Sequence, residues 1–540
     1  MNTLPVLLRQ RLRRDRWQLI IWIAGIGLLA LFSASAVAQT YGDAAGRASI
    51  LRLAIENPSI LMLRGLPQGA GLSAFVFFEI FTFLALLAGL MSTFLAVRHT
   101  RAEEESSRAE LIAATPAART APTVATLIHG VLANLMLGIV VAVAFTAGKL
   151  QGYGSLVTGA AVAAVGMSFL AVGMLAAQFM RSSRGANGVA AAAVVLAYLL
   201  RGLGDALGSP TADGLHLSAA WPSWLSPIGW AQQTGAYTAN NFTPLLLNVA
   251  LGACCLVAVF ALQSRRDSGA SLLAGRSGRV DASARLSSSF GLAWRLQWPS
   301  IAGWCIGSIA IGLLAGTLAK LAQQVTSTSA GVTSALQSMV PGGSQSISAL
   351  LISAMFSIAG VLAAACAVQA VIRMRQEESA GTAELILATP VSRLRWMLDY
   401  VLVGTLAIAL VLLCGAVASS LGAVASGEPA ARIGDSFAAA TAQLPAALIY
   451  LGIIALLFIL VPDLTVPLGW TLLGAGVFLG IFGGLIGLPD WARDLSPFTH
   501  TPAPVAGNTD WSSAVWMIAL AVLALLAAVA GMRRRSLHTA

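Results

Sequence analysis

Two stretches of this sequence repeat each other and set its architecture: EEESSRAELIAATP at residues 103–116 and EESAGTAELILATP at residues 377–390. Nine of the fourteen positions are identical at a constant offset of 274 residues. A smaller echo follows each copy, since Leu-Ser-Pro at residues 225–227 recurs at residues 495–497. Self-similarity at a fixed offset indicates an internal duplication. We call the first copy loop one and the second copy loop two.

Long apolar runs surround both loops. Of the 540 residues 57% are hydrophobic and only 10% are charged, whereas soluble domains carry about 25% charged residues. A helix needs about 20 apolar residues to cross a bilayer. Twelve runs meet this condition, near residues 19–38, 71–96, 121–147, 155–180, 186–204, 244–263, 299–320, 346–371, 397–424, 440–461, 465–487 and 513–532. The sequence therefore predicts an all-α polytopic membrane protein with about twelve transmembrane helices in two homologous six-helix halves.

The predicted boundaries place the first six-span half at residues 1–263 and the second at residues 295–540. Between them, residues 264–294 are rich in serine, glycine, alanine and arginine, which is typical of a flexible linker. Because each half has an even number of spans, both halves insert with the same orientation. This predicts a parallel repeat related by an axis along the membrane normal.

Basic residues predict the orientation. With the N-terminus placed in the cytoplasm, 24 of the 32 lysines and arginines fall in cytoplasmic segments, as the positive-inside rule requires. We therefore expect a multi-pass protein of the bacterial inner (plasma) membrane with both termini cytoplasmic. The net charge of +10 belongs to arginines beside apolar spans, so we expect contact with the lipid bilayer and no nucleic-acid partner.

Each loop joins the second and third spans of its half, on the predicted cytoplasmic side. Glutamates crowd its start, where a helix dipole favours negative charge, and Thr-Pro ends it. The pattern predicts one amphipathic helix of about three turns, with leucine and isoleucine forming an apolar patch. The alternative is a solvated helix that neutralises nearby arginines. Loops usually diverge faster than packed helices, so two similar copies favour a shared partner.

The pattern Glu-Glu-x-x-x-x-Ala-Glu-Leu-Ile-x-Ala-Thr-Pro resembles the coupling-helix loop of ATP-binding-cassette (ABC) exporter permeases. The whole chain resembles the fused twelve-span permeases of actinobacterial multidrug exporters, the tetronasin-transport type. The resemblance implies a permease for efflux of hydrophobic or amphipathic compounds, such as drugs or antibiotics, working with two copies of a separate nucleotide-binding ATPase on the cytoplasmic face. It assigns the coupling role to Glu103, Glu104, Glu110, Leu111, Thr115, Pro116, Glu377, Glu378, Glu384, Leu385, Thr389 and Pro390.

The sequence contains no Gly-x-x-x-x-Gly-Lys-Ser/Thr phosphate-binding loop. We therefore expect a transport subunit that is not an enzyme, with no catalytic residue and no cofactor of its own, while the partner ATPase binds ATP and magnesium. The five histidines lack metal-ligand spacing, and the five cysteines lie in apolar runs, so no metal site is predicted. A polytopic membrane enzyme would need clustered polar residues, and no such pattern occurs.

Three polar residues inside predicted spans are candidates for the substrate pathway: Glu79, His129 and Asn134. A carboxylate at membrane depth costs about 2.5–3.5 kcal/mol, which marks it for function by default. Glu79 could bind a cationic substrate or carry a proton, or it could lie near the outer interface or be held neutral by a hydrogen bond. His129 and Asn134 could make interhelical hydrogen bonds or contact a ligand. The alternative function is therefore a proton-coupled secondary drug antiporter that uses Glu79.

Overall fold

The computed structural model describes residues 3–56, 58–265, 283, 286–326, 347–427, 431–482, 489–506 and 510–535. Within this part of the chain, twelve helices are long and apolar enough to cross a membrane. Each coincides with one of the twelve predicted runs, which confirms the all-α polytopic fold. Contacts divide the chain into unit one, Met1–Ser277, and unit two, Gly278–Ala540. Most of the predicted linker, residues 264–294, lies outside the described residues.

Unit one is almost wholly helical. Its helices are α1 Thr3–Thr40, α2 Ala44–Glu56, α3 Pro58–Leu63, α4 Leu72–Arg98, α5 Arg101–Glu105, α6 Arg108–Ala113, α7 Ala121–Ala147, α8 Gly152–Phe179, α9 Ser183–Ala206, α10 Pro227–Gln232 and α11 Leu245–Arg265. Between α9 and α10 lies a short antiparallel pair, β1 Ser209–Pro210 and β2 Leu217–Ser218, in which Ser209 faces Ser218.

Asp213 organises the turn between β1 and β2. The backbone N–H of Leu215 donates to Asp213 Oδ1 at 3.0 Å, and the Thr211 hydroxyl donates to the same oxygen at 2.9 Å. Both bonds favour the charged carboxylate and lower the pKa of Asp213 to about 2. The turn therefore keeps its charge, as suits a polar connection between spans.

Helix α8 lies at the centre of unit one and contacts α4, α7 and α11. Its closest approach to α7 is at Gly138 and Gly159, where a Cβ atom on Gly159 would lie 2.3 Å from the Gly138 carbonyl oxygen. Helices in lipid associate through close backbone packing, because lipid tails are as apolar as leucine. The glycine content of the spans therefore has a packing role at this crossing.

One end of unit one gathers the start of α1, loop one, the α8–α9 turn and the end of α11. Arg101 Nε donates to the Arg181 carbonyl at 2.9 Å, and Gln263 Nε2 donates to the Arg119 carbonyl at 3.1 Å. We call this end the loop end, and the opposite end of the spans the far end. The sharing of one end by these segments is what alternating spans require.

Unit two is also helical. Its helices are α12 Ser289–Thr326, α13 Ile347–Ser379, α14 Thr382–Leu387, α15 Arg393–Ala425, α16 Ala431–Ala442, α17 Leu444–Leu460, α18 Thr465–Val477, α19 Asp490–Arg493 and α20 Ser512–Arg534. A π-helical segment, Phe478–Phe482, continues α18.

Helix α12 packs along α15 through the same glycine device. A Cβ atom on Gly312 would lie 2.2 Å from the Gly415 carbonyl oxygen, and one on Gly316 would lie 2.1 Å from the Ser419 carbonyl oxygen. Larger side chains fill the core further along, among them the fully buried Trp396. Both units therefore combine small-residue crossings with an apolar interior.

Candidate functional site

Each loop contains a helix break that the sequence analysis missed. In loop one the chain turns between α5 and α6 at Ser107, whose φ is +55°, and in loop two it turns between α13 and α14 at Gly381, whose φ is +71°. A left-handed residue cannot continue the hydrogen-bond ladder of a right-handed helix. The predicted single helix of about three turns is therefore wrong, and each loop ends in a separate helix of six residues.

The glutamates at the start of the two loops occupy different helix positions. Glu103 and Glu104 lie in the first turn of α5, where the dipole favours them. Glu377 and Glu378 instead lie near the C-terminal end of α13, where the dipole opposes negative charge. Loop two therefore needs other positive charge to hold its carboxylates.

The second part of each loop is exposed. The side chains of Leu111 and Leu385 are 72% and 76% exposed, which is unusual for leucines in a helix. The surrounding exposed residues of the predicted coupling set are Glu110, Thr115 and Pro116 in loop one and Glu384, Thr389 and Pro390 in loop two. We call the two exposed groups tip one and tip two.

The tips share one backbone pattern. In tip one the N–H of Glu110 donates to the Ser107 carbonyl at 3.2 Å, and the Glu384 N–H donates to the Gly381 carbonyl at the same distance in tip two. At the other end, the threonine hydroxyl of each Thr-Pro pair donates to the isoleucine carbonyl three residues earlier, at 2.6 Å and 2.5 Å. The nine shared residues thus encode a shared local shape.

The base of loop one is an ion-pair network around Glu103, which is buried. Arg11 Nη2 lies 3.2 Å from Glu103 Oε2, and Arg14 Nη1 lies 3.3 Å from Glu103 Oε1. The Nδ1 atom of His99 lies 3.2 Å from the same Oε1 atom. Arg11 also donates to the Thr126 hydroxyl at 2.6 Å. Loop one is therefore fixed to α1, α4 and α7.

The base of loop two is built around Glu378, which is fully buried. Arg375 Nη1 lies 2.8 Å from Glu378 Oε2, and Arg535 Nη2 lies 2.6 Å from Glu378 Oε1. Arg535 also donates to the Phe458 carbonyl at 2.9 Å and stacks over the Phe458 ring. Loop two is therefore fixed to α17 and to the end of α20, and the two arginines supply the positive charge that the dipole does not.

The two remaining glutamates of the predicted set also pair within their own units. Glu104 Oε2 lies 2.5 Å from Arg101 Nη1, and Glu377 Oε1 lies 3.5 Å from Arg373 Nε. The predicted set thus divides into exposed tip residues and paired residues at the loop bases.

A cavity of 120 Å³ lies beneath tip one. Ile112 lines it from the tip, His99 and Glu103 line it from the base, and Gln178 and Gln263 line it from the ends of α8 and α11. An open groove lies beside tip two, lined by Glu384, Leu387, Val391 and Arg393 among others.

Glu79 lies near the far end of α4 and forms an ion pair with Arg64, which precedes this helix. Its side chain is 13% exposed. Arginine stays protonated at every physiological pH, so Arg64 is a permanent counter-ion for this carboxylate. Glu79 thus takes part in an ion pair, which neither the interfacial alternative nor the neutral, hydrogen-bonded alternative described.

Asn134 is buried and bonded between helices. Its Nδ2 donates to the Gly130 carbonyl at 2.9 Å, and its Oδ1 accepts from the Ser92 hydroxyl of α4 at 3.0 Å. A Cβ atom on Gly166 of α8 would overlap this amide, so Asn134 fills a notch between α4, α7 and α8. The structure therefore gives Asn134 an interhelical role.

His129 belongs to a buried cluster that the sequence analysis did not predict. Its Nε2 lies 3.1 Å from Asp15 Oδ2, and His99 Nε2 contacts the same oxygen. The three residues come from α1, α7 and the end of α4, and all are buried. No local spacing could show this, because 84 and 114 residues separate Asp15 from the two histidines.

A buried ion pair in α9 was also not predicted from the sequence. Arg201 and Asp205 are fully buried, with Arg201 Nη1 3.1 Å from Asp205 Oδ2. Arg201 also donates to the carbonyls of Leu61 and Met62 at 3.1 Å and 2.8 Å. The pair thus holds α3, which contains Leu61 and Met62, against α9 at the far end of the spans. Their spacing of four residues at the end of an apolar run was the available signal.

These features define a polytopic membrane protein with a duplicated six-span unit and an exposed apolar tip on each copy. The family described as "Multidrug efflux system permease Rv1217c, C-terminal domain" matches the chain twice, over residues 5–262 and 286–533. The chain is 33% identical over 534 residues to the "Multidrug efflux system permease protein Rv1217c" of Mycobacterium tuberculosis (strain ATCC 25618 / H37Rv), covering 98% of this chain and 94% of that protein. The chain therefore belongs to this multidrug efflux permease family.

Proposed function

We propose that this chain is the permease subunit of an ATP-driven exporter of hydrophobic or amphipathic compounds, such as drugs or antibiotics. Family membership and the name of the mycobacterial relative support the efflux function. The observation that carries the ATP coupling is the exposure of Leu111 and Leu385 on tips of the same backbone pattern. Two equivalent apolar tips suit two copies of one partner.

Docking of the ATPase falls on the tips. Each tip offers one leucine for a groove and one glutamate, Glu110 or Glu384, for a basic rim. Glu103, Glu377 and Glu378 are buried in ion pairs of their own units, so we assign them to holding the loop bases. The partner would bind ATP and magnesium, and both loops and both termini would face the cytoplasm.

The loop bases provide a route for transmitting movement of the tips. Displacement of tip one would move Glu103 and, through its ion pairs with Arg11 and Arg14, helix α1. Displacement of tip two would move Glu378 and, through its ion pair with Arg535, the end of α20. A push from the ATPase would thus reach α1 in unit one and α20 in unit two. This arrangement suits a change of access within each six-span unit.

The proton-coupled antiporter that uses Glu79 has less support. The Glu79 carboxylate is paired with Arg64, so protonation of Glu79 would leave this arginine without its counter-ion. Glu79→Gln with unchanged transport would agree with the structural role.

The decisive experiment is co-purification of the tagged chain with its ATPase from the native host, followed by transport assays in inverted vesicles. For the Leu111→Ser, Leu385→Ser double variant we expect ATPase affinity to fall about tenfold or more, because buried apolar anchors dominate interfaces. ATP-dependent efflux should fall with it. A matched control replaces two leucines of similar exposure outside the loops, Leu207 and Leu495. Full ATPase binding and full efflux in the double tip variant would overturn the coupling assignment. Drug uptake into inverted vesicles that contain this chain but no ATPase would overturn it as well.

A further inference from the structure

We propose that Asp15, His99 and His129 bind a zinc ion between α1, α4 and α7. One oxygen of Asp15 and one nitrogen of each histidine lie within 4.8 Å of one another. Two histidines and one carboxylate are a ligand set that suits divalent transition metals, and nitrogen ligands favour zinc over magnesium or calcium. The site does not depend on the proposed export function.

The orientation of the rings supports this assignment. Both histidines direct Nε2 at the same oxygen, Asp15 Oδ2, and their ring planes are almost perpendicular, at 88°. Three separate elements of the fold thus bring two ring nitrogens and one carboxylate oxygen together, as the binding of one ion requires.

The surroundings of His99 supply the support that a metal ligand needs. Its Nδ1 lies 3.2 Å from Glu103 Oε1, while its Nε2 faces Asp15. A neutral imidazole has one N–H and so cannot donate to both carboxylates. With an ion at Nε2, the N–H on Nδ1 donates to Glu103, which is the usual carboxylate–histidine–zinc relay.

Two carboxylates and three arginines surround the cluster. Asp15 and Glu103 are negative, and Arg11, Arg14 and Arg98 are positive. Arg98 Nε lies 2.9 Å from the other oxygen of Asp15, which leaves Oδ2 to the histidines. The side chains of Arg14 and Arg98 are 34% and 36% exposed, so water screens both charges, whereas Arg11 is 4% exposed and is neutralised by Glu103 at 3.2 Å.

An ion could reach the cluster from the loop end. His99 and Glu103 line the 120 Å³ cavity beneath tip one. Three protein ligands leave the fourth position of a tetrahedral zinc ion open for water. Bound zinc would tie together the three helices to which loop one is fixed.

The second half of the chain does not repeat these ligands. At the offset of 274, Arg373 stands in place of His99 and Val403 in place of His129. The first spans match at an offset of 282, since Trp22 and Gly25 recur as Trp304 and Gly307, and at this offset Gln297 stands in place of Asp15. Arg373 is a permanent cation beside Glu377. In the first half, zinc on His99 would supply positive charge at the equivalent place.

The test uses the full-length chain in detergent, stripped with a chelator and titrated with Zn²⁺ in a calorimeter. We expect about one Zn²⁺ per chain. Glu103→Gln should weaken binding about 10- to 100-fold, since it removes the second-shell partner, and Asp15→Asn or His129→Asn should weaken it at least as much. The matched control, His500→Asn, removes a histidine whose ring bonds a backbone carbonyl and should not change binding.

Co²⁺ provides a test that needs no variant. The wild-type chain should show a visible spectrum of nitrogen- and oxygen-bound Co²⁺ without a thiolate charge-transfer band. Thermal unfolding with chelator present identifies any variant that fails to fold. If wild-type chain binds no more Zn²⁺ than the Asp15→Asn, His129→Asn double variant, or if Co²⁺ is bound by cysteine, the proposal is overturned and the cluster is a protonated hydrogen-bond network.

Discussion

Loop one and loop two have the same tip on different bases. Tip one and tip two share their sequence, their exposed leucine and their backbone hydrogen bonds. The base of loop one combines arginines with Asp15, His99 and His129, whereas Glu378 at the base of loop two forms ion pairs with Arg375 and Arg535. Tips that bind copies of the same partner must keep the same shape, whereas the base of each loop only has to neutralise the charged side chains within its own unit.

The largest effect should come from breaking the base of loop two. In Glu378→Ala, Arg375 keeps Asp463 at 2.7 Å and Arg535 keeps the Phe458 carbonyl at 2.9 Å, but both lose the fully buried carboxylate that they share. Loss of one member of a buried ion pair costs about 3–5 kcal/mol. The free energy of unfolding in detergent, followed by circular dichroism, measures this loss.

The equivalent change in loop one should cost less. In Glu103→Ala, Arg11 keeps the Thr126 hydroxyl and the Pro122 carbonyl as acceptors, so we expect about 1–3 kcal/mol. Glu110→Ala and Glu384→Ala, at the exposed tips, serve as controls and should stay within about 0.5 kcal/mol of wild type. Equal losses of unfolding free energy in Glu103→Ala and Glu378→Ala would show that the different partners of the two glutamates do not affect stability.

An intermediate effect should come from damaging one tip at a time. Leu111→Ser and Leu385→Ser should each weaken ATPase binding about tenfold, which corresponds to about 1.4 kcal/mol. The two leucines are similarly exposed in the free chain, and each would become buried when the ATPase binds. Binding of the purified ATPase to the chain in nanodiscs measures both, with Leu207→Ser as the control. A large loss from one leucine and none from the other would show that the tips are not equivalent partners.

The smallest effect concerns the left-handed residue that separates each tip from its base. Ser107→Gly should stabilise the chain by up to about 1 kcal/mol and Gly381→Ser should destabilise it by about 1 kcal/mol, because a side chain disfavours positive φ. Thermal unfolding measures both. The neighbouring Ser106 has a φ of −94°, so Ser106→Gly should not stabilise the chain. If it stabilises as much as Ser107→Gly, the backbone argument fails.

The sequence predicted the spans well and the loops in part. The run at residues 121–147 coincides with α7, since hydropathy is read locally along the chain. The loop prediction failed at Ser107, because serine rarely marks a left-handed turn, although the glycine at the equivalent position 381 was a visible signal.

The sequence by itself determined the class of this protein: twelve apolar spans, an exact offset between two loops, and a leucine that follows a glutamate at each tip. These are local or periodic properties, and a bilayer admits few structures for such spans. The tertiary structure decided which charges are buried and what they contact. Arg11 meets Glu103 across 92 positions and Arg535 meets Glu378 across 157, and separations of that length leave no pattern in a single sequence.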